Sequence, residues 1–419
     1  MTAPAGVTVS DVRAAQALLA DVIRPTPLKY NRGLTERVGA DVSLKCENLQ
    51  RAGSFKIRGA YTRMSRLSDA EKAAGVVAAS AGNHAQGVAL AGQMLGIKVK
   101  VYMPVRAPMP KVQATLAYGA TIEQVGETLD ESLEHARAWA AETGAVLIHP
   151  FDHVDIVAGQ GTAGLEILDQ CPDVRTVVIG LGGGGLLAGV AVVLRELAPH
   201  VRIIGVQAEQ AAAYPGSLEA GHPVRVPRMA TMADGIAVGL PGDVTFPLVR
   251  DLVDEVVTVS EAALARAQLF LLERAKLVVE PAGAAATAWL LDQAPGRPEA
   301  LEGPVVSILS GGNIDPLLMM RIIRYGMSAA GRYLQFAVVV PDSPGNLAAL
   351  LADCAAADAN VLEVEHVRTG TRILVDQVQI GLVLETRGPD HQQNVLDGLR
   401  SKGYDLRDIE TAETAVSTL

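Results

Sequence analysis

Aromatic residues are scarce in this chain. They make up 4% of 419 residues, with two tryptophans and five phenylalanines, so Val, Ile, Leu and Ala must fill the core. Cysteine is as sparse. Cys46, Cys171 and Cys354 lie far apart and form no CxxC pair; an odd, thin set of this kind excludes a disulfide framework and points to reduced thiols in a cytoplasmic protein. Basic runs are missing too. The net charge is -10, and without a local Lys/Arg-rich patch a phosphate backbone would be repelled, so no nucleic-acid partner is expected. No charged residue precedes Asp11 and no basic stretch leads into an apolar one, which excludes a secretory leader in the part given. One uncharged stretch, Val177 to Leu194, approaches the length of a membrane helix. It holds Gly180, Gly189 and the run Gly182 to Gly185, and each glycine in a helix interior costs roughly 1 kcal/mol. A buried strand, a glycine loop and a helix start fit better, and no membrane partner is expected.

What remains is an ordinary globular balance, 49% apolar and 20% charged, with length for two or three domains. From about residue 40 to 325, short β-branched runs alternate with helix-length segments. Strands are expected at Val76–Ala79, Val99–Met103, Val146–Ile148, Val177–Ile179, Ile203–Val206, Val256–Val259 and Val305–Leu309. Helices are expected at His84–Leu95, Leu129–Glu142, Gly185–Leu197, Glu261–Arg274 and Ala282–Leu291. This alternation predicts an α/β, doubly wound architecture around parallel sheets. After Tyr325 the texture changes. Residues 326–332 read as a linker, and the order strand, helix, strand, strand, helix, strand over 333–419 predicts a ferredoxin-like βαββαβ domain.

Five segments carry chemistry. In Ser54-Phe55-Lys56-Ile57-Arg58-Gly59, a lysine between apolar neighbours at a helix start can have its pKa lowered by desolvation and by the helix dipole, and a neutral amine is what a carbonyl carbon needs from its nucleophile. Gly182-Gly183-Gly184-Gly185-Leu186, between a buried strand and a helix, lets backbone N–H groups approach an anion; it lacks the Lys-Ser/Thr of a nucleoside triphosphate loop and the GxGxxG spacing of a dinucleotide fold. Ser80-Ala81-Gly82-Asn83-His84 also follows a strand and opens a helix, either as a carboxylate seat or as a simple helix cap. Ser310-Gly311-Gly312-Asn313 and Glu280-Pro281-Ala282-Gly283-Ala284 would each pass for a turn.

Together and in this order, the five segments resemble the fold type II pyridoxal-5'-phosphate (PLP) enzymes, and within them the threonine dehydratase and serine racemase group. The resemblance covers about residues 10–325, including Pro25-Thr26-Pro27-Leu28 and Ala158-Gly159-Gln160-Gly161-Thr162. It implies two doubly wound α/β subdomains within a catalytic domain 1–325, the smaller one inserted at about 51–150. It implies PLP held as a Schiff base on Lys56, beside Phe55. Asn83 would bond the pyridine 3'-oxygen, Gly182, Gly183, Gly184, Gly185 and Leu186 the phosphate, and Ser310 the pyridine nitrogen. Ser80, Ala81, Gly82, Asn83 and His84 would receive the substrate carboxylate. Glu209 matches an acidic metal ligand of the racemase group, but Ala213 and Pro215 stand where a further carboxylate would be needed; a monovalent cation held by carbonyls is the other option for a cation here.

The same resemblance implies β-elimination of water from threonine, or serine, by Lys56 acting as general base. A hydroxyl at Ser310 does not keep the pyridine nitrogen protonated, which favours expulsion of a β-leaving group over racemisation. Ala81 stands where racemases carry a second acid/base serine. The C-terminal unit resembles an ACT domain, with Asp342 to Asn346 at its effector loop and isoleucine or valine as the natural effector; a homodimer or homotetramer is implied. A serine racemase, a 3-hydroxyaspartate dehydratase and a non-catalytic amino-acid sensor are the alternatives.

Overall fold

The computed structural model describes residues 6–292, 301–368 and 374–410. The ends of the two expected domains, 1–5 and 411–419, lie outside the described residues. The chain divides into two compact units, Met1–Pro316 and Leu317–Leu419.

In the first unit the chain opens a large sheet with β1 (Leu28–Tyr30) and β2 (Val42–Lys45). It then leaves to build a small sheet from β3 (Val76–Ala79), β4 (Val99–Met103), β5 (Thr121–Gln124) and β6 (Val146–Leu147). It returns with β7 (Thr176–Gly180), β8 (Arg202–Ala208), β9 (Glu255–Val259) and β10 (Val305–Ile308). The large sheet has the order β1-β2-β10-β7-β8-β9, with β1 antiparallel and the rest parallel; the small one has the order β5-β4-β3-β6, all parallel. Every residue of β3 and β10 is buried, as expected of parallel strands covered by helices on both faces. Three of the five segments follow directly from the carboxyl ends of β3, β7 and β10, the edge at which ligands bind in open α/β sheets.

Five helices position the site: α1 (Lys56–Ser65), α2 (Asn83–Leu95), α3 (Val154–Gln170), α4 (Gly185–Leu197) and α5 (Thr245–Leu252). The central one, α3, touches two others at backbone distance because glycines remove the side chains in between. A methyl on Gly159 would lie 2.5 Å from the Arg58 carbonyl oxygen of α1, and one on Gly189 of α4 would lie 2.3 Å from the Val157 carbonyl oxygen of α3. The Ala158–Thr162 segment therefore sets the Lys56 helix and the glycine-loop helix in register against one scaffold. The apolar stretch 177–194 divides between β7, the glycine loop and α4. No helix among the described residues is long and apolar enough to cross a membrane.

The second unit begins within α6 (Pro316–Ala329) and continues through β11 (Tyr333–Pro341), α7 (Asn346–Ala356), β12 (Asn360–Val367), β13 (Gln377–Glu385), α8 (Pro389–Ser401) and β14 (Asp405–Glu410). Its antiparallel sheet has the order β12-β13-β11-β14, that of a ferredoxin-like fold. Leu334, Phe336, Val338 and Val340 of β11 alternate into a core shared with Leu350, Val395 and Leu399 of the two helices.

Two local expectations are corrected. The expected linker 326–332 is helical through Ala329, because Gly331 at φ +69° ends the helix in the left-handed conformation while Arg332 N–H reaches back to Met327 O (2.8 Å) and Gly331 N–H to Ser328 O (2.9 Å). The helix expected over Glu261–Arg274 is α-helical only to Phe270 and continues as a π-helical turn, Leu271–Ala275, ended by Lys276 at φ +58°.

Candidate functional site

Lys56 is the first residue of α1. Its backbone is fixed from three sides. Phe55 N–H donates to Ser310 O (3.2 Å), Gly312 N–H donates to Gly53 O (2.9 Å), and Ser54 bridges Gly311. Two residues on, the fully buried Arg58 donates to both oxygens of Glu47 (2.8 Å each) and to Glu166 (2.7 Å), while Glu166 also accepts from buried Lys45 (2.5 Å). Two cations and two anions balance inside the core, so α1 cannot shift without breaking buried ion pairs. The Lys56 ammonium donates to Pro150 O (2.9 Å) and stands 5.1 Å from the centre of the Phe55 ring. Burial lowers its pKa to about 8, against the opposing pull of Glu280.

The glycine loop caps α4. Gly184 sits at φ +95°, a conformation that favours glycine. The amides of residues 182 to 187 meet no acceptor among the described residues, although all but Gly182 are buried. Buried donors are normally paired. A row of unanswered N–H groups at the start of a thirteen-residue helix can receive an anion. Leu186 contributes its amide while its side chain packs into the large core.

The Ser80–His84 loop opens α2 in a similar way. Ser80 Oγ accepts from Gly82 N–H (3.1 Å), and the amides of Ala81, Asn83, His84 and Ala85 have no acceptor among the described residues. Gly87 of α2 packs directly on Lys56, where a methyl would lie 3.0 Å from its Cβ. Asn83 donates to Glu280 (2.5 Å) and accepts from Asn313 (2.9 Å), and Asn313 donates also to Ala52 O (2.7 Å). These contacts fix the Asn83 amide and leave one of its N–H groups for a ligand. Burial, followed by Asp234, raises the Glu280 carboxyl to about 7. His84 enters the loop through its backbone and not its ring. Its imidazole turns to the Ile148 carbonyl (2.7 Å), and burial lowers its pKa to about 3, so the ring is a neutral structural tie and only its amide faces the loop. Ser310 is buried, and its hydroxyl has no partner among the described residues.

Sequence reasoning missed the crossover from β6 to α3. Phe151 lies against the glycine loop, where a methyl on Gly183 would sit 2.3 Å from the ring. His149 packs edge-on to Phe151 (4.6 Å between centres), and its Nδ1 accepts from Phe151 N–H and Asp152 N–H; burial lowers its pKa to about 4. Asp152 accepts from the amides of Asp243, Val244 and Thr245 (2.9, 2.8 and 3.2 Å) at the start of α5. The one available signal was an aromatic, among only five phenylalanines, four residues past the end of a strand.

Glu209 is exposed on a single 3-10 turn, and no group of three or more His, Cys, Asp or Glu side chains could hold a metal ion among the described residues. Ala213 and Pro215, where a further carboxylate would be needed, lie in a short helix, Ala213–Ala220, and carry no side-chain ligand atoms. A separate cavity of about 360 Å³, lined in part by Lys29, Arg32 and Arg274, contains none of the residues above.

The model of the family described as pyridoxal-phosphate dependent enzyme matches residues 19–311. An L-threonine ammonia-lyase of Thermotoga maritima is 45% identical over 401 residues, covering 96% of this chain and 99% of the relative. Among solved structures, the processed form of threonine deaminase isoform 2 from Solanum lycopersicum has a TM-score of 0.71 at 38% identity, covering 76% of this chain and 89% of its own. Maize serine racemase has a TM-score of 0.72 at 36% identity, covering 75% and 96%.

Proposed function

The chain belongs to the pyridoxal-phosphate dependent enzyme family, and on that premise we propose that it removes water from L-threonine, and from L-serine, through Lys56, giving 2-oxobutanoate or pyruvate and ammonia. One observation carries the reading. A buried amine with a lowered pKa stands beside two helix starts whose amides have no acceptor among the described residues. That donor set fits PLP: the amides of Gly182 to Leu186 for its phosphate, Lys56 for its aldehyde carbon, the spare Asn83 N–H for the 3'-oxygen, Phe55 beside the ring and the Ser310 hydroxyl for the ring nitrogen. When bound, PLP supplies an electron-poor conjugated system that acidifies the Cα–H of an amino acid joined to it.

The chain's own groups do the rest. The amides of Ala81, Asn83 and His84, with Ser80 and Gly82 shaping the turn, hold the substrate carboxylate and so orient the Cα–H toward Lys56. Lys56 Nζ, freed by the incoming amine, accepts the Cα proton; with a pKa near 8 it is a competent base close to neutral pH. Ser310 would offer the ring nitrogen a neutral hydroxyl and not a carboxylate, which favours loss of the β-hydroxyl over racemisation. The β-hydroxyl would leave as water with a proton from the phosphate of bound PLP. Ala81 has no proton to deliver from the opposite face, which disfavours racemisation. The released enamine tautomerises and hydrolyses in water.

Borohydride reduction followed by peptide mapping tests the attachment. A pyridoxyl label on Lys56 is expected, and a label on any other lysine overturns the assignment. A 2-oxo acid assay over threonine, serine and 3-hydroxyaspartate tests the substrate; turnover of 3-hydroxyaspartate above threonine overturns it.

The second unit is read as an ACT-like regulatory module of a cytoplasmic homodimer or homotetramer. The strand order supports the ACT-like reading, as does the loop Asp342–Asn346, which closes on itself through Asn346 Nδ2 to Ser343 Oγ (2.7 Å) and Pro341 O (3.0 Å) at the start of α7. Isoleucine or valine is the proposed effector, and kinetics unchanged by both would remove that role.

A further inference from the structure

The glycine loop is held from behind by two hydroxyls that no motif in the sequence announces. Thr245 Oγ1 donates to the Gly183 carbonyl at 2.6 Å, and Tyr214 OH donates to the same oxygen at 3.3 Å. Both residues are fully buried. A threonine at a helix start ordinarily caps its own helix. Here α5 begins at Thr245, and Val244 at the cap position offers no side-chain cap. Asp152 takes that task by accepting the Val244 and Thr245 amides, and it leaves the Thr245 hydroxyl free to point at the loop. Tyr214 is anchored in turn by its own amide, which donates to Gln207 Oε1 (2.9 Å). A methyl on Gly184 would lie 2.3 Å from Tyr214 OH, so the loop rests on these hydroxyls without a gap.

Peptide planarity gives this arrangement a consequence. The Gly183 carbonyl and the Gly184 N–H belong to one trans peptide and point in opposite directions. Two donors on the carbonyl oxygen therefore aim the Gly184 N–H away from Thr245, to the side where the loop amides meet no acceptor among the described residues. Hydrogen bonding at the oxygen also polarises the peptide and strengthens its N–H as a donor.

We propose that Thr245, backed by Tyr214, is the positioning residue of the phosphate seat: its hydroxyl locks the Gly183–Gly184 peptide in the orientation that presents the Gly184 amide to the anion. The proposal rests on the PLP reading above. It adds a residue from a distant segment whose task is selective for the phosphate and not for the aldehyde.

The test compares PLP with pyridoxal, which lacks the phosphate, as probes of native apoprotein and of Thr245→Val, Thr245→Ser and Tyr214→Phe. Binding is followed by fluorescence, the phosphorus environment of bound PLP by 31P NMR, and folding by circular dichroism. Val matches Thr in shape and removes only the hydroxyl, which donates to Gly183 and lies within reach of Tyr214 OH (3.4 Å). The dissociation constant for PLP is expected to rise about tenfold in Thr245→Val and less in Tyr214→Phe, whose bond is longer, with pyridoxal binding changed by less than about twofold. Thr245→Ser keeps the hydroxyl and is expected within about threefold of native, with its 31P signal unshifted. Equal losses for PLP and pyridoxal, or a Ser variant as weak as the Val variant, would overturn the proposal. Native protein that takes up neither probe would overturn the cofactor reading before any substitution is made.

Discussion

Gly183→Ala tests the other side of the same loop. The added methyl would lie 2.3 Å from Cδ1 and Cγ of Phe151, where an ordinary contact needs about 3.4 Å or more. Either the ring or the loop must therefore yield by about 1 Å. The ring is braced. His149 packs against its edge, Lys56 holds the Pro150 carbonyl before it, and Asp152 after it accepts three amides of the α5 start. The loop is the softer partner, and a shift of that size takes at least one amide out of hydrogen-bond range of the phosphate. A hydrogen bond to a charged group contributes about 1.5–3 kcal/mol, so PLP affinity is expected to fall by about 10- to 150-fold. Fluorescence titration of apoprotein with PLP measures it. The cycle is completed by Phe151→Ala, which removes the obstruction. Phe151 is half-buried, so its loss costs less than the about 3–5 kcal/mol of a fully buried phenylalanine. Most of the lost affinity should return in the double variant. A Gly183→Ala protein that binds PLP within about threefold of native, or a double variant weaker than the sum of the singles, would refute the claim that Phe151 sets the position of the loop.

Three further outcomes are expected. Lys56 carries a pKa lowered to about 8 by burial, so its amine is mostly protonated below that pH and neutral above it; stopped-flow rates of pyridoxal condensation with apoprotein should climb about tenfold per pH unit up to near 8 and then level, and a rate still rising toward pH 10 would contradict the burial. Ala81→Ser introduces an exchangeable proton at the position proposed to face Lys56 and should raise Cα inversion of serine relative to elimination, measured by chiral chromatography; no gain would remove Ala81 from the account of reaction choice. Arg58→Ala leaves Glu47 wholly buried without its bidentate partner, and denaturant unfolding should report a loss of about 3–5 kcal/mol; a loss under about 1 kcal/mol would show that the buried ion network does not hold α1.

Much of the scaffold was legible in the chain. Fully apolar runs such as Val76–Ala79 and Val305–Ile308 announce strands buried on both faces, and Gly185–Leu197 announces a helix whose bounds match the sequence expectation. Three strands went unread, each for its own reason. β1 is short, with one half-buried and two exposed residues. β5, Thr121–Gln124, is an edge strand with a polar, largely exposed face. β2 ends in Lys45, a residue that reads as surface yet lies buried because Glu166, more than a hundred positions away, meets its charge.

The sequence by itself determined the groups whose chemistry is local: an amine at a helix start, glycines where a loop amide must approach an anion or where φ is positive, and a hydroxyl after a buried strand. Singly each could pass for a turn or a cap, and it is their order along the chain that marks them. Only the tertiary structure decided which side chains hold these groups in place. Phe151, Thr245, Tyr214, Asn313 and Glu280 are common residue types that act by long-range approach, Thr245 on a carbonyl 62 positions away and Asn313 on an amide 230 positions away. It also tied the His84 ring to Ile148, leaving only the backbone amide of that residue to the loop. A hydroxyl or an amide has no assigned partner until the chain closes on it, and the energy that orients it comes from contacts that exist only in the packed state.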